Sequence, residues 1–115
     1  MNLLGQQDEF NGVLGQGTRF DGKLVFEGQL RIEGQFLGKI YTRDNLIISK
    51  TAQIRADIEA DEVLVAGVVE GSITAHNKIT ITKEGFVKGS VSAPSIKIEE
   101  GGVVEGTTQM TNKTP

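Results

Sequence analysis

The chain has 115 residues, with 12 basic and 15 acidic side chains, no cysteine, no tryptophan and one histidine. The length fits one domain of ordinary size. Without cysteine there can be no disulfide and no thiolate zinc site, and one histidine excludes a metal site with two histidine ligands. The net charge of −3 argues against direct nucleic-acid binding, which needs clustered Lys and Arg. Composition therefore predicts a protein without metal, cofactor or enzymatic activity.

The N-terminal segment, residues 1–16, is polar and carries no apolar periodicity, so we expect a flexible tail. The first nine residues lack the basic and apolar regions of a secretory signal. No apolar run in the chain approaches the roughly 18 residues of a membrane span. These features predict a cytoplasmic protein.

A repeat follows the tail, from about Thr18 to Met110. Each unit reads small-x-apolar-x-small-x-apolar, except that the sixth has Thr108 at the last apolar position, and successive units lie 15 to 18 residues apart. A shorter apolar pair completes each of the first five units, from Leu30 and Ile32 to Ile96 and Ile98. The central small residues of the six units are Gly22, Gly38, Ala56, Gly71, Gly89 and Gly106.

The strict alternation predicts strands with one buried face, and no segment shows helical periodicity. A unit of this length is too short for a propeller blade and fits one coil of a parallel β-helix. The variable spacing favours a right-handed coil over the left-handed type, which would need multiples of six. We therefore predict an all-β, right-handed parallel β-helix of about six coils over residues 17–110, with residues 111–115 as a C-terminal tail.

Two details of side-chain placement follow from this alignment. We expect the central glycines to point inward and leave room for large side chains from the other walls, as in small barrels. On the outside, side chains of alternating charge are expected to stack in one row, where opposite charges attract weakly. That row contains Arg55, Glu70, Lys88 and Glu105.

The ends of the coil series are candidate assembly surfaces, because no amphipathic helix caps either end. An uncapped coil presents unpaired strand edges, which favour further strand pairing. The predicted end residues are Phe20, Leu24 and Phe26 in the first coil, and Val103, Val104 and Met110 in the last. Predicted lateral contacts are Val68 and Phe86 in one outward row, and Ile47 and Leu64 in another.

Catalytic side chains are not expected in this sequence. The adjacent acidic pairs, Asp61–Glu62 and Glu99–Glu100, lie at corner loops, where neighbouring side chains point apart instead of converging on a cleft. His76 lies in a polar loop and is interpreted as a surface histidine.

Several stretches resemble the bactofilins in order along the chain. They are Gly22–Gly38, Gly67–Gly71 with Ile73, and Pro94–Gly101. The resemblance covers roughly Val13 to Met110. It implies a bacterial cytoskeletal protein with a right-handed β-helix that polymerises end to end into non-polar filaments. It also implies a scaffold for cell shape, wall-enzyme placement or chromosome organisation, located in the cytoplasm or at the inner face of the cell membrane. A nucleotide is not expected, because the phosphate-binding Gly-x-x-x-x-Gly-Lys-Ser/Thr motif is absent.

The sequence departs from the bactofilin pattern in two places. Many members carry an aromatic residue in the last coil, where Val103 and Val104 stand here. Members that bind membranes use a short apolar and basic N-terminal motif, whereas this tail carries Asp8 and Glu9 and no basic side chain. Direct membrane association is therefore not expected beyond weak insertion of a few apolar residues. Those residues are Met1, Leu3 and Leu4.

Two alternatives to a filament protein come from other classes. One is a β-helical binding module that acts as a discrete oligomer in a cell-division or envelope complex. The other is an acyltransferase of the β-helix type, whose histidine chemistry would rest on His76 alone. The assembly state separates them, since a filament, a discrete dimer and a trimer scatter light differently.

Overall fold

The computed structural model describes residues 12–111, and within that range every regular element is a β-strand. All strand pairs are parallel, so the chain winds in one direction through stacked coils. The strands are β1 (Gly12–Leu14), β2 (Arg19–Phe26), β3 (Leu30–Ile32), β4 (Gln35–Thr42), β5 (Asn45–Ile48), β6 (Gln53–Val65), β7 (Val68–Ile81), β8 (Phe86–Ala93), β9 (Ser95–Ile98) and β10 (Val103–Met110).

Each of the first five coils has a long strand segment followed by a short one, and the sixth coil has β10 as its strand within the described residues. The long strands stack in the order β2, β4, the first part of β6, the first part of β7, β8 and β10. The short strands stack in the order β1, β3, β5, the ends of β6 and β7, and β9. Coils 1 to 6 are numbered from β2 to β10, and the predicted all-β parallel solenoid is confirmed.

The core consists of rows of inward side chains that run along the solenoid axis. One row stacks Phe20, Phe36, Ile54, Val69, Val87 and Val104, and the next stacks Leu24, Ile40, Ile58, Ile73, Val91 and Thr108. The middle members of both rows are buried, whereas the first and last members are at least partly exposed. Burial of each such aliphatic side chain contributes about 1.5–3 kcal/mol, so apolar stacking stabilises the fold from within.

β1 is a correction to the predicted N-terminal tail. Gly12–Leu14 lie inside residues 1–16, yet they pair in register with β3, and Leu14 packs against the core. The prediction of a tail was wrong for these three residues, because their short apolar pattern lacks the small anchor of the repeat. Residues 1–11 and 112–115, where the rest of the predicted tails falls, lie outside the described residues.

The row of central small residues has the predicted register but not the predicted role. Gly71 and its glycine neighbours in the row have φ values between +129° and +144°, and most of them are exposed. A Cβ atom built at Gly71 would meet the carbonyl oxygen of Ala56 in the preceding coil. Glycine is thus required by backbone conformation and by the close approach of successive coils, not by the volume of inward neighbours.

Candidate assembly surfaces

The N-terminal end of the solenoid is an open strand edge. Among the described residues β2 pairs with β4 alone and β1 with β3 alone, so one edge of each has no strand beside it. Phe20, Leu24 and Phe26 lie together on this end and are only half-buried against the core. The ring of Phe20 stacks on Phe36, with centroids 4.8 Å apart and an angle of 7° between planes. The structure therefore brings the three residues predicted for this end into one apolar surface.

Within the part of the chain that the structure describes, β10 pairs with β8 alone and β9 with β7 alone, so the C-terminal end presents a second open edge. Val104 lies directly beside Val87, as the repeat predicts, and is half-buried. Met110 is 64% exposed at the end of β10. These two predicted residues thus lie at the end opposite to Phe20, and only a second molecule could bring the two groups together.

Ile98 is an end residue that the sequence analysis missed. It is 44% exposed, whereas Ile81, its partner in the preceding coil, is fully buried. The repeat assigns both to the core because they occupy the same row. The shorter apolar pair occurs in the first five units, and among residues 12–111 β9, which contains the fifth pair, is bonded to β7 alone, so Ile98 has a strand on one side only.

An outward apolar row lies on the side of coils 4 to 6. Val68, Phe86 and Val103 are in register, and Val68 and Val103 are each 41% exposed. Val103 therefore faces outward from the last coil and belongs to this row more than to the end face. In coils 2 and 3 the same row continues as Gln35 and Gln53, so its apolar part is confined to the C-terminal half.

The second predicted lateral pair lies on the short strands. Ile47 and Leu64 are in register and half-buried on the outer surface. Arg31 precedes them and Thr80 follows them in the same row. This pair is consequently an isolated apolar spot bounded by polar side chains, and it is not continuous with the row of Val68.

One outward row of coils 3 to 6 consists of charged side chains. The predicted row of Arg55, Glu70, Lys88 and Glu105 is in register. Arg55 Nε lies 3.2 Å from Glu70 Oε1, and both side chains are largely solvated. Glu105 occupies this row in coil 6, so the last coil carries a negative charge at its outer edge.

The single histidine lies on the outer surface, as predicted, but it is part of β7 and not of a loop, and it has a carboxylate partner. His76 Nε2 lies 2.9 Å from Glu59 Oε2 of the preceding coil. Within residues 12–111 no three His, Asp or Glu side chains come together as metal ligands would. The same range contains no helix long and apolar enough to cross a membrane. The predicted weak membrane contact of Met1, Leu3 and Leu4 falls outside the described residues and stays a prediction.

Over residues 12–111 the fold and its surfaces define a parallel β-solenoid with an apolar face and an unpaired strand edge at each end. The sequence profile of the bactofilins, described as polymer-forming cytoskeletal, matches residues 12–109. The chain belongs to the bactofilin family.

Three curated proteins of Myxococcus xanthus (strain DK1622) are similar to the chain, two of them over most of its length. Bactofilin BacO is 33% identical over 103 residues, which cover 90% of this chain and 82% of that protein. Bactofilin BacP is 28% identical over 105 residues, which cover 91% of this chain and 44% of that protein. Bactofilin BacN is 38% identical over 52 residues, which cover 45% of this chain and 46% of that protein. No solved structure matches the chain significantly.

Proposed function

We propose that this bactofilin assembles end to end, without nucleotide, into filaments that serve as a scaffold. The observation that carries the proposal is the exposure of Ile98, whose row is otherwise fully buried from Ile32 to Ile81. A second molecule on this end would bury Ile98, Val104 and Met110 and would pair the free edge of β10. The polymer-forming character of the family supports the same reading.

The joints are proposed to be two-fold, so that the filament has no polarity. In that arrangement each C-terminal end meets another C-terminal end, and each N-terminal end meets another N-terminal end. The filament then contains two different joints. A head-to-tail filament would contain one kind of joint, in which β1 of one molecule lies against β9 of the next.

Val104→Arg tests both the contact and its symmetry. Burial of an unpaired charge costs several kcal/mol, enough to abolish most assembly at micromolar concentration. With two-fold joints the variant keeps its N-terminal contact, and light scattering is expected to report a dimer of twice the 12.4 kDa chain mass. With head-to-tail joints it reports a monomer. The fold survives, because the arginine reaches water at the open end.

Ile98→Arg and Ser90→Arg complete the design. Ile98→Arg places the same charge on the same end from a different strand and is expected to reproduce the dimer. Ser90 is exposed on the side of coil 5, so Ser90→Arg adds the charge to the outer side of the solenoid and not to an end face, and it should assemble like the natural chain. Filaments of normal length from both end variants, in sedimentation and negative-stain electron microscopy, would contradict the proposed end contact.

The filament is proposed to act in the cytoplasm, including the inner face of the cell membrane, as a scaffold for cell shape, wall-enzyme placement or other subcellular organisation. The cytoskeletal description of the family and the three curated relatives support a structural, non-enzymatic role. Its partners are then other copies of the chain and the client proteins that the scaffold holds. Fluorescent fusions of the natural chain and of Val104→Arg test the role, since only the assembling chain should form persistent structures in cells.

A second candidate function is a binding module that works as a discrete oligomer, and the outward row of Val68, Phe86 and Val103 favours it. Three stacked apolar side chains offer a contact on the side of the solenoid instead of its end. We expect the row to support lateral contacts between assembled molecules. Phe86→Lys should leave single filaments intact and reduce side-by-side bundles in electron micrographs. A discrete oligomer that is lost on Phe86→Lys and retained on Val104→Arg would favour the module instead.

A further inference from the structure

The outer face that follows the row of central small residues carries opposite charges in neighbouring coils. Two outward rows form this face, one and three residues after the central small residue of each coil, and we name it the mixed-charge face. The first row reads Lys23, Lys39, Asp57, Ser72, Ser90 and Thr107, and the second reads Val25, Tyr41, Glu59, Thr74, Ser92 and Gln109. On this face coils 1 and 2 are therefore basic, coil 3 is acidic, and coils 4 to 6 are uncharged.

The basic half of the mixed-charge face is open to solvent. Lys23 and Lys39 are exposed, and Val25 and Tyr41 have exposed fractions of 61% and 37%. The two lysines lie directly beside each other, where like charges repel. Among residues 12–111 no ion pair within 4.0 Å includes either of them. A partner that brings carboxylates to this half would relieve the repulsion and cover the apolar side chains.

The acidic half of the same face supplies those carboxylates. Asp57 follows Lys39 in the first row, and Glu59 lies two residues further along the same strand. Each has one contact within its own molecule, since Asp57 Oδ1 accepts a hydrogen bond of 2.9 Å from Ser72 Oγ, and Glu59 Oε2 lies 2.9 Å from His76 Nε2. A carboxylate has two oxygens and accepts several hydrogen bonds. A second copy of the chain therefore carries the chemistry that the basic half requires.

Symmetry fixes how two such faces can meet. Successive coils are about 4.8 Å apart, and a contact between identical surfaces has a two-fold axis. An axis that runs along the strands between coils 2 and 3 lays coil 2 of each copy on coil 3 of the other, with the solenoids antiparallel. Lys39 of each copy then faces Asp57 of the other, and the hydroxyl of Tyr41 faces the carboxylate of Glu59. Each of these complementary pairs forms twice.

The outer part of the same arrangement is also compatible. Coil 1 of each copy meets coil 4 of the other, so Lys23 faces the hydroxyl of Ser72 and Val25 faces Thr74. The small side chains of coil 4 leave room for the longer ones opposite them. Burial of Val25 and of the ring of Tyr41 removes exposed apolar surface from water.

Other registers bring like charges together. A two-fold axis between coils 1 and 2 would place Lys23 opposite Lys39, and an axis through coil 3 would place Asp57 opposite its own copy. Parallel solenoids, related by an axis along their length, would place Asp57 opposite Glu59. Like charges directly opposite each other are destabilising, so the charge pattern selects the antiparallel register between coils 2 and 3.

We propose that two copies of the chain associate side by side through the mixed-charge face, with antiparallel solenoids and with coils 1 to 4 in contact. The contact uses two side chains from each of these coils, fewer than the roughly 20–30 residues per partner of a standard interface, so a single pair is weak. It involves neither Ile98 nor Val104. Its failure and the failure of the proposed end contact are therefore separate results.

Two single charge reversals test the contact. Lys39→Glu places carboxylates opposite each other across the axis, and Asp57→Lys places ammonium groups there. Each variant alone should pair about tenfold less than the natural chain, because two attractive pairs become repulsive. In a mixture of the two variants, both positions across the axis again hold opposite charges, so pairing should return to the level of the natural chain. Mixing cannot reverse an effect that arises within one molecule.

Crosslinking measures the pairing, because the natural chain has no cysteine. Val25→Cys in one chain and Thr74→Cys in a second chain of different mass place thiols that face each other in the antiparallel register. A short bis-maleimide should join them into a mixed dimer, in excess over either homodimer on a denaturing gel. The charge reversals are then added to these two chains, singly and in the mixture. Filament length in electron micrographs should be the same for all of them.

Lys88→Glu is the matched control. It makes the same change in charge at an exposed lysine in the row of Arg55, on the other side of the glycines, and should leave the crosslinking yield unchanged. Equal yields for the natural chain and both reversals would overturn the proposal, and so would a mixture that pairs no better than its components. A Val25→Cys chain that crosslinks mainly to itself would assign a different register and would also overturn it.

Discussion

Coil 1 and coil 4 share one pattern of apolar and small residues but lie in different surroundings. In coil 4, Val69 and Ile73 have a strand on both sides and are buried. In coil 1, the equivalent Phe20 and Leu24 are only half-buried, because β2 pairs with β4 alone. The same position in the repeat therefore packs inside the core in a middle coil and lies partly exposed on an open face in an end coil.

This difference follows from the one-dimensional nature of a solenoid, in which each coil contacts only its neighbours. A middle coil is stabilised from two sides, and a substitution there disturbs two interfaces. An end coil has one interface and one open face, which is free for a second molecule. Matched substitutions at equivalent positions of coil 1 or 2 and of the middle coils therefore separate folding from assembly.

The largest difference in stability between a middle coil and an end coil is expected when leucine replaces a glycine of the row of central small residues. Gly71→Leu combines a strained φ of +134° with a clash against the carbonyl of Ala56. Strain and overpacking each cost about 1–3 kcal/mol, a large part of the stability of a small domain. Gly71→Leu should therefore abolish the cooperative thermal transition measured by circular dichroism.

Gly22→Leu is the matched substitution at the end. Its φ is +144°, but a Cβ atom there has its nearest contact at 3.7 Å, on the flexible ring of Phe20. Only the strain remains, so the variant should fold with a lowered melting temperature. Equal melting temperatures for the two variants would show that the close approach of successive coils is not what selects glycine.

A smaller difference in the free energy of unfolding is expected when alanine replaces one or the other of the two stacked phenylalanines, Phe36 and Phe20. Phe36 is fully buried, and Phe36→Ala should cost about 3–5 kcal/mol because it opens a cavity between coils 1 and 3. Phe20→Ala should cost only about 1–2 kcal/mol, since that side chain is only partly buried. Urea unfolding of both variants measures the two values. A larger loss for Phe20 than for Phe36 would mean that the N-terminal end is covered in solution.

The rows of stacked side chains and the strand registers were predictable from the sequence. The alternation of apolar residues indicates which side chains share a face of a strand, and the spacing of the units indicates which residues of successive coils lie side by side. The role of Gly71 was not predictable, since inward packing and a positive φ both select glycine, and alternation does not distinguish them. The exposure of Ile98 depends on whether another coil follows it, and the alternation around Ile98 is the same as around its buried partner Ile81. β1 was missed because a three-residue strand is shorter than the repeat unit that identifies the other coils.

Removing a hydrogen-bonded contact between coils 1 and 2 should lower the free energy of unfolding by less than Phe36→Ala does. Thr42 is buried, and its Oγ1 donates a 3.1 Å hydrogen bond to the carbonyl of Gly28 and accepts one of 3.2 Å from the amide of Asp44. Ala75, in the inward row of coil 4, is also buried but has no side-chain polar group.

Thr42→Val keeps the shape of the side chain and removes both hydrogen bonds, at a cost of about 1–2 kcal/mol. Ala75→Ser is the matched change, because it adds a hydroxyl where coil 4 has none. Hydrogen exchange of the Asp44 amide should rise in Thr42→Val alone. An unchanged exchange rate would show that the amide is protected by something other than the threonine.

The smallest change in the free energy of unfolding is expected for loss of an ion pair on the outer surface. Arg55 and Glu70 form an exposed pair at 3.2 Å, and such pairs contribute about 0.2–1 kcal/mol. Arg55→Ala should lower the free energy of unfolding by that amount in low salt and by almost nothing near 1 M salt, where screening acts over about 3 Å. In coil 1 the same row holds Asp21 beside Leu37, so Asp21→Ala removes no cross-strand pair and should leave stability unchanged. Urea unfolding of both variants at two salt concentrations measures the contrast. Salt-independent destabilisation by Arg55→Ala would mean that packing of the arginine stem, and not its charge, stabilises the middle of this row.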